Sequence, residues 1–459
     1  MSNDKRTLGI TFDGRVLFDP YPTTSSIIYG ATGAAKTTSV VVPAIESLLS
    51  SCSLALIIND VKDGEIAAQI GDMCQKYNRK FGALDDFKAL GEDYPYRFSL
   101  NPFGSIVSTH KKNPSDVLYA IETAVQALIP EPQNDSKNQY FRDVPREEMD
   151  LGIRILLSHR PDMVTPGGLN ALMGDPEVWI SAVNIAAQEG DPALMARAQQ
   201  SIAMRENDPE HYFQHNRAAL TSLRMYEPNS TLHNAGFDAD ITHEQILKEG
   251  YVFCLVQPQQ HTARLGAHYA LHFNSFMDAQ LSGNTGKALY ILDELCNAPL
   301  KPAVERVTIQ RSYGGRSLYI AQSRADIERK YGVKETAILE ENCPVIQWLS
   351  FTSFSEAERV SKAMGDQQNV SQSIGFNSDK LDFSNNINTG KERLFAPDEL
   401  MNLNPDEQII FIKSVGFIHC RKLFQNEIAP YCYDLADNPL EGGKLIPDPK
   451  ITLRTGGQS

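Results

Sequence analysis

The chain has 459 residues, 42% hydrophobic and 22% charged, which is the composition of an ordinary globular protein long enough for two or three domains. Its formal net charge of -14 excludes a general nucleic-acid coat, which needs basic surface to displace counterions, and no apolar run approaches the ~20 residues that cross a bilayer. Seven cysteines stand singly at 52, 74, 254, 296, 343, 420 and 432; without C-x-x-C spacing they set aside disulfide and cysteine–metal frameworks and fit a reducing, cytoplasmic compartment.

The opening MSNDKRTLGITFDGR has no apolar core of a leader peptide. The first apolar run, SSIIYGA (25–31), predicts a strand, and TTSVVVPAIESLLS predicts a helix after it. Between them lies GATGAAKTT, residues 30–38, close to the phosphate loop G-x-x-x-x-G-K-[ST]. Gly30, Lys36 and Thr37 are in place, but Ala35 stands where the second glycine belongs. A phosphate loop needs this order, because backbone N–H groups and the helix start must face the phosphates. Gly30, Ala31, Thr32, Gly33, Ala34, Ala35, Lys36, Thr37 and Thr38 form the candidate cradle, with Lys36 on the β/γ-phosphates and Thr37 on Mg²⁺. The competing reading is a plain strand–turn–helix. Ala35 costs little at negative φ and about 1 kcal/mol at positive φ.

SLALIIND (53–60) predicts a second buried strand, and the acidic pair Asp85 and Asp86 reads as the solvated end of another. From about 105 to 235 the texture changes to amphipathic helices with prolines near several starts, PREEMDLGIRILLSH among them. The lysine pair in STHKKNP reads as a solvated loop, and Trp179 and Trp348 as core residues. YVFCLVQP (251–258) returns to the strand pattern. His268 and His272 then share one helix face; with no third ligand nearby in sequence they read as a satisfied structural pair.

ALYILDEL (288–295) is an apolar strand closed by Asp293 and Glu294, the form of a Walker B element at 289–294. Asp293 would hold the Mg²⁺ shell, and Glu294 would orient and deprotonate a water. In QRSYGGR, Arg311 and Arg316 are candidates for an arginine finger. SLYIAQS (317–323) ends at Gln322, a position that faces the γ-phosphate in RecA-like sheets; the alternative is a loop glutamine. VIQWLS (345–350) and QIIFIKS (408–414) are further strands, with RADIERKYG and SEAERVSKAMG as helices. Residues 366–394 are polar and Asn/Ser-rich and read as a long loop. Strand–helix alternation around the helical block marks an α/β fold with a central, mostly parallel sheet and an inserted all-helical domain.

Taken together, GATGAAKTTS, NDVKDGE (59–65), FSLNPFG (98–104), LDELCNAP (292–299), QRSYGGRSLYIAQS (310–323), ADIERKYG (325–332) and LFAPDELMNL (394–403) resemble, in order and spacing, the type IV coupling proteins. These are the ATPases of conjugation and type IV secretion. NDVKDGE departs from the family's turn at Val61 and at the interposed Asp63. The resemblance implies a RecA-like P-loop NTPase core in two parts, 1–104 and 236–435, an all-alpha domain at 105–235 and a flexible tail at 436–459. It implies ATP and Mg as cofactors, Arg311 as the residue reaching a neighbour's phosphate and Gln322 as sensor. A homo-hexamer is expected, or a monomer in isolation, with secretion-channel subunits as partners. The cargo would be single-stranded DNA with its relaxase, or an effector protein. Most family members carry transmembrane helices well before the loop, whereas here it begins about thirty residues in, as expected of a soluble member or of one whose membrane part was removed or sits on another chain. The implied location is the cytoplasm, against the inner-membrane secretion complex, with any anchor on a removed segment or another chain. Two other readings stay open: a nucleotide-degenerate substrate receptor, and a soluble hexameric DNA pump.

Overall fold

The structure, a computed structural model, describes residues 4–132, 139–296, 304–377, 382–440 and 442–454. Its centre is an eleven-stranded sheet. The strands in chain order are β1 (Thr7–Ile10), β2 (Val16–Phe18), β3 (Ser26–Tyr29), β4 (Leu54–Asp60), β5 (Phe81–Leu84), β6 (Val252–Val256), β7 (Lys287–Leu292), β8 (Gly315–Ala321) and β9 (Val345–Trp348). After the last parallel strand come β10 (Asp366–Asn377) and β11 (Asp382–Arg393), which lie outside this sheet, and β12 (Glu407–Ile412) and β13 (Gly416–Arg421), which complete it. The sheet order is β2-β1-β13-β12-β9-β3-β8-β7-β4-β6-β5. From β9 to β5 every pairing is parallel; from β9 outward to β2 every pairing is antiparallel.

The unbroken apolar runs follow from burial on both faces. All seven residues of β4 are buried. Leu54, Leu56 and Ile58 join one core with helices α1 (Val42–Leu48) and α2 (Glu65–Lys76), through Val42, Ile45, Ile66 and Ile70. Ala55 and Ile57, pointing the other way, join a second core. That core continues into a run of helices between β5 and β6: α3 (Gly104–Lys112), α4 (Val117–Leu128), α5 (Tyr140–His159), α6 (Pro166–Gly174), α7 (Pro176–Ala186), α8 (Pro192–Asn207) and α9 (Pro209–Ser222). Next come α10 (His243–Lys248) and, after β6, the long α11 (Thr262–Leu281), which lies against the sheet. The prolines act as read from the sequence. Pro166, Pro176, Pro192 and Pro209 open their helices, and each is preceded by a capping side chain, Thr165, Asp175, Asp191 or Asp208, that accepts backbone N–H bonds of the first turn. Pro145 is the exception: α5 starts at Tyr140 and Pro145 lies inside it.

Two expectations are corrected. Residues 366–394 are not a long loop: β10 and β11 pair antiparallel from Asp366↔Arg393 to Asn377↔Asp382, apart from the main sheet. A polar ladder held by its backbone bonds carries no apolar alternation to read. The described part of the expected flexible tail is anchored to the core at points, although most of its residues are exposed. Its strand β15 (Ile451–Thr452) pairs in parallel with β14 (Ile428–Ala429), and Ile451 is buried.

Within the helical block, Glu148 on α5 is buried and accepts a hydrogen bond from the Ser201 hydroxyl on α8 at 3.1 Å. Burial pushes its carboxyl up to about 7, against the smaller opposing effect of Ser201. The folded value lies above the unfolded one, so the folded chain holds the extra proton. This contribution is therefore full below the unfolded value of about 4.3 and is lost as pH rises through about 7, by about 4 kcal/mol at most. Glu148→Gln is expected to raise the melting temperature at pH 8 and leave it unchanged near pH 4, as read by thermal melts at the two pH values.

Candidate nucleotide-binding site

The candidate cradle starts where β3 runs out of the sheet. A Cβ at Gly30 would stand 3.2 Å from Leu349 and 3.3 Å from Ala34, so close packing with the strand next door selects glycine. Ala31 N–H donates to the Ser350 hydroxyl, and Ala34 N–H to the Ala31 carbonyl, which closes the turn. Gly33 has φ +80 and Ala35 φ +64. The residue in the second-glycine position therefore adopts the left-handed backbone that glycine tolerates, and its methyl carries strain of about 1 kcal/mol. Ala35→Gly is expected to raise stability by up to that amount and to tighten nucleotide binding several-fold, measured by chemical denaturation and by titration with a fluorescent ATP analogue.

Beyond the turn, Thr37–Val41 form one wide π-helical turn that runs into α1. Lys36 is buried and folds back over the loop. Its ammonium donates to the Gly30 carbonyl at 3.1 Å and the Ala31 carbonyl at 3.4 Å, and pairs with Glu294 Oε1 at 3.2 Å. Thr38 is half-buried, with its hydroxyl directed at the Ala35 carbonyl.

The acidic side comes from β7, two positions across the sheet from β3. Asp293 is 1% exposed, and its carboxyl is pushed up to about 6 by burial and then by Glu294, with Lys62 and Lys36 opposing. Its Oδ1 accepts the Glu294 N–H at 3.1 Å, and its carbonyl accepts from Asn59 at 2.8 Å. Glu294 sits at φ +51, a strained conformation for a glutamate. Gln322, just past β8, donates to Glu294 Oε2 at 3.3 Å. Lys36, Glu294 and Gln322 thus meet at the C-terminal ends of three parallel strands, around a cavity of about 500 Å³ that Thr32, Lys62, Glu294 and Gln322 help to line.

Four residues not assigned a role from the sequence, Lys62, Glu65, Lys422 and Asn438, reach the same cluster. After β4 the chain turns through Asp63 (φ +52) and Gly64 (φ +83) into α2, whose first residue is Glu65. Glu65 Oε1 accepts from the Thr37 hydroxyl at 3.0 Å and from the Lys62 ammonium at 2.9 Å. Its other oxygen accepts from Asn438 at 3.3 Å, so the C-terminal segment also reaches the site. Lys422, whose ammonium burial pushes down to about 8, donates to the Ala34 carbonyl. The sequence signal for Lys62 and Glu65 was the NDVKDGE turn at the end of β4, which gave neither side chain a role.

The two arginines separate. Arg316 is buried near the start of β8 and donates to the carbonyls of Pro22 and Asp4, at the end of this central strand away from the loop. Arg311 precedes β8 and is exposed. A seven-residue strand is about 20 Å long, so Arg311 lies at the opposite end of the sheet from this chain's own loop. Asp85 is not solvated: it is buried, accepts the N–H groups of Ala89 and Leu90, and pairs with Arg97 at 3.0 Å. Asp86 pairs with His268 at 3.0 Å, which supplies the third side chain that the sequence did not place near the histidine pair.

The donor set fits a magnesium–triphosphate. Loop amides and an ammonium suit phosphate oxygens, and the Thr37 hydroxyl with the Asp293 carboxylate suits a hard cation that would discharge the cost of burying Asp293. Sheet order, loop and acidic strand define a RecA-like P-loop NTPase fold.

Comparison with known proteins narrows this class. A family model described as the TraM recognition site of TraD and TraG matches residues 287–405. The bacterial conjugative coupling protein TrwBΔN70, in its unbound monoclinic form, is similar over 91% of this chain and 89% of its own, at 16% identity and a TM-score of 0.64. The plasmid coupling protein TrwB in complex with ADP and Mg²⁺ matches over 91% and 88%, at 14% identity and a TM-score of 0.63. VirB4 of Thermoanaerobacter pseudethanolicus matches over 93% and 98%, at 14% identity and a TM-score of 0.53. No curated protein matches the chain. The resemblance to type IV coupling proteins read from the motifs is thus met by the fold over nearly the whole chain and by the family match over 287–405. Among the described residues no helix is long and apolar enough to cross a membrane.

Proposed function

We propose that the chain is the ATPase coupling factor of a type IV secretion or conjugative transfer system. The observation that carries this reading is the 3.2 Å pair between Lys36 and Glu294, with Gln322 on the second carboxylate oxygen. Three motifs far apart in sequence converge on one cavity, as phosphoryl chemistry requires. Bound magnesium-ATP would supply the transferable phosphoryl group and the cation that offsets its charge. Lys36 and amides of the loop at residues 32, 33 and 35–37 would hold the phosphate oxygens, and Thr37 and Asp293 the cation. Glu294, released from Lys36, would orient a water and accept its proton, while Gln322 holds the carboxylate in place. Arg311 is too far from its own loop to act there and would serve the site of a neighbouring copy in a homo-hexamer. The partners under this reading are secretion-channel subunits, a TraM-type protein at 287–405, and single-stranded DNA with its relaxase or an effector protein as cargo. The site of work is the cytoplasmic face of the secretion complex.

A second reading has one observation in its favour. Ala35 at φ +64 weakens the cradle and fits a substrate receptor that does not turn over ATP. Phosphate release from magnesium-ATP separates the two. The motor reading expects turnover that rises with protein concentration and with added single-stranded DNA. A chain that neither binds ATP nor releases phosphate under any of these conditions is a receptor.

A further inference from the structure

A second polar cluster lies on the other face of the sheet, away from the phosphate loop. His268 and His272, one turn apart on α11, are both fully buried. Asp86, two residues past β5, turns toward them with Oδ2 3.0 Å from His268 Nε2. One ligating atom from each of Asp86, His268 and His272 lies within 4.8 Å of the others.

The outer contacts resemble those of metal-binding histidines, in which one ring nitrogen faces the ion and the other is fixed by a hydrogen bond. His268 Nδ1 is 3.0 Å from the Tyr226 hydroxyl, and His272 Nδ1 is 3.0 Å from His243 Nε2. His272 Nε2 is buried with no hydrogen-bond partner. A purely structural network explains Asp86, His268 and Tyr226, which satisfy one another. It does not explain an imidazole held by one nitrogen with the other left bare inside the protein.

We propose that Asp86, His268 and His272 bind one divalent transition-metal ion of the zinc type. Two imidazoles and a carboxylate suit zinc and its neighbours and do not suit magnesium or calcium, which take oxygen ligands. Tetrahedral zinc sets its ligand atoms about 3.4 Å apart, so the widest pair has about 1.4 Å to close, within reach of side-chain rotation. Asp86 is the partly exposed member and marks the side of entry. The ion would fasten α11 to the end of β5, beside Tyr226, where the helical block returns to the sheet. The first turn of α11 lines the nucleotide cavity through Thr262, so the clasp and that cavity share one helix.

The test is elemental analysis of the full chain, expressed with zinc and freed of any histidine tag, followed by cobalt(II) titration of chelated protein in excess magnesium. Magnesium keeps the phosphate-loop site from taking cobalt. The expected result is about one zinc per chain, a lower melting temperature after chelation, and saturable visible bands of four- or five-coordinate cobalt. Asp86→Asn, at the partly exposed position, should weaken cobalt binding at least tenfold while the chain stays folded by circular dichroism. Wild-type protein with no stoichiometric zinc and no saturable cobalt spectrum overturns the proposal. So does a spectrum that Asp86→Asn and His272→Gln leave unchanged.

Discussion

Replacing Glu294 by Gln is expected to lower ATP turnover by about 10²–10⁴-fold while nucleotide stays bound, because the exchange removes a base and keeps its shape. The glutamine can still accept from Gln322 on one oxygen, so the side chain stays in place. It can no longer form the ion pair with Lys36. That pair is the resting state of the site: the amine needed for phosphate and the carboxylate needed for water hold each other, 7% and 12% exposed. Breaking it from the carboxylate side leaves Lys36 free for the incoming phosphates, so affinity should rise as turnover falls. Single-turnover hydrolysis and nucleotide titration on the same preparation read both effects. Turnover equal to wild type would place the base elsewhere and leave Glu294 as a mere clamp on Lys36.

What could be read in the sequence follows from where each signal originates. The parallel core was legible because β3, β4, β6, β7, β8 and β9 are covered on both faces, and covered strands are written as unbroken apolar runs. Asp293 and Glu294 were legible because they close such a run. Lys62 and Glu65 were not, since their meaning depends on where α2 starts relative to the phosphate loop: Glu65 reaches Thr37 across 28 positions. Asn438 reaches Glu65 across 373 positions, and a tail rich in Pro and Gly gave no hint of it. Asp86 meets His268 across 182 positions, so a search for a third ligand near in sequence could not find it. Among the outer strands, β2 has only three residues and β13, GFIHCR, interleaves polar with apolar positions and is mostly half-buried, so neither stands out before the sheet assembles. Composition also misread the β10–β11 hairpin, because a polar ladder and a polar loop are written alike.

Lys36→Ala tests the other half of the pair and should have two separable consequences. The first is on binding. Charge-assisted hydrogen bonds contribute about 1.5–3 kcal/mol each, so losing two at the phosphates predicts a fall in nucleotide affinity of about 10²–10⁴-fold. The second is on the empty protein. Glu294 is left beside Asp293, with Gln322 as its hydrogen-bond donor and Lys62 as a more distant positive charge. Breaking a fully buried pair costs about 3–5 kcal/mol; here the cavity admits water to Glu294, so the loss should fall below that range. The double variant Lys36→Ala with Glu294→Gln divides the two effects. It should recover the stability, since no uncompensated charge remains, and it should not recover the affinity, since the amine is still missing. Thermal melts with and without magnesium-ATP, on the two single variants and the double, complete the cycle. If the double variant were no more stable than Lys36→Ala, the 3.2 Å contact would carry no coupling, and Lys36 would be held by the Gly30 and Ala31 carbonyls alone.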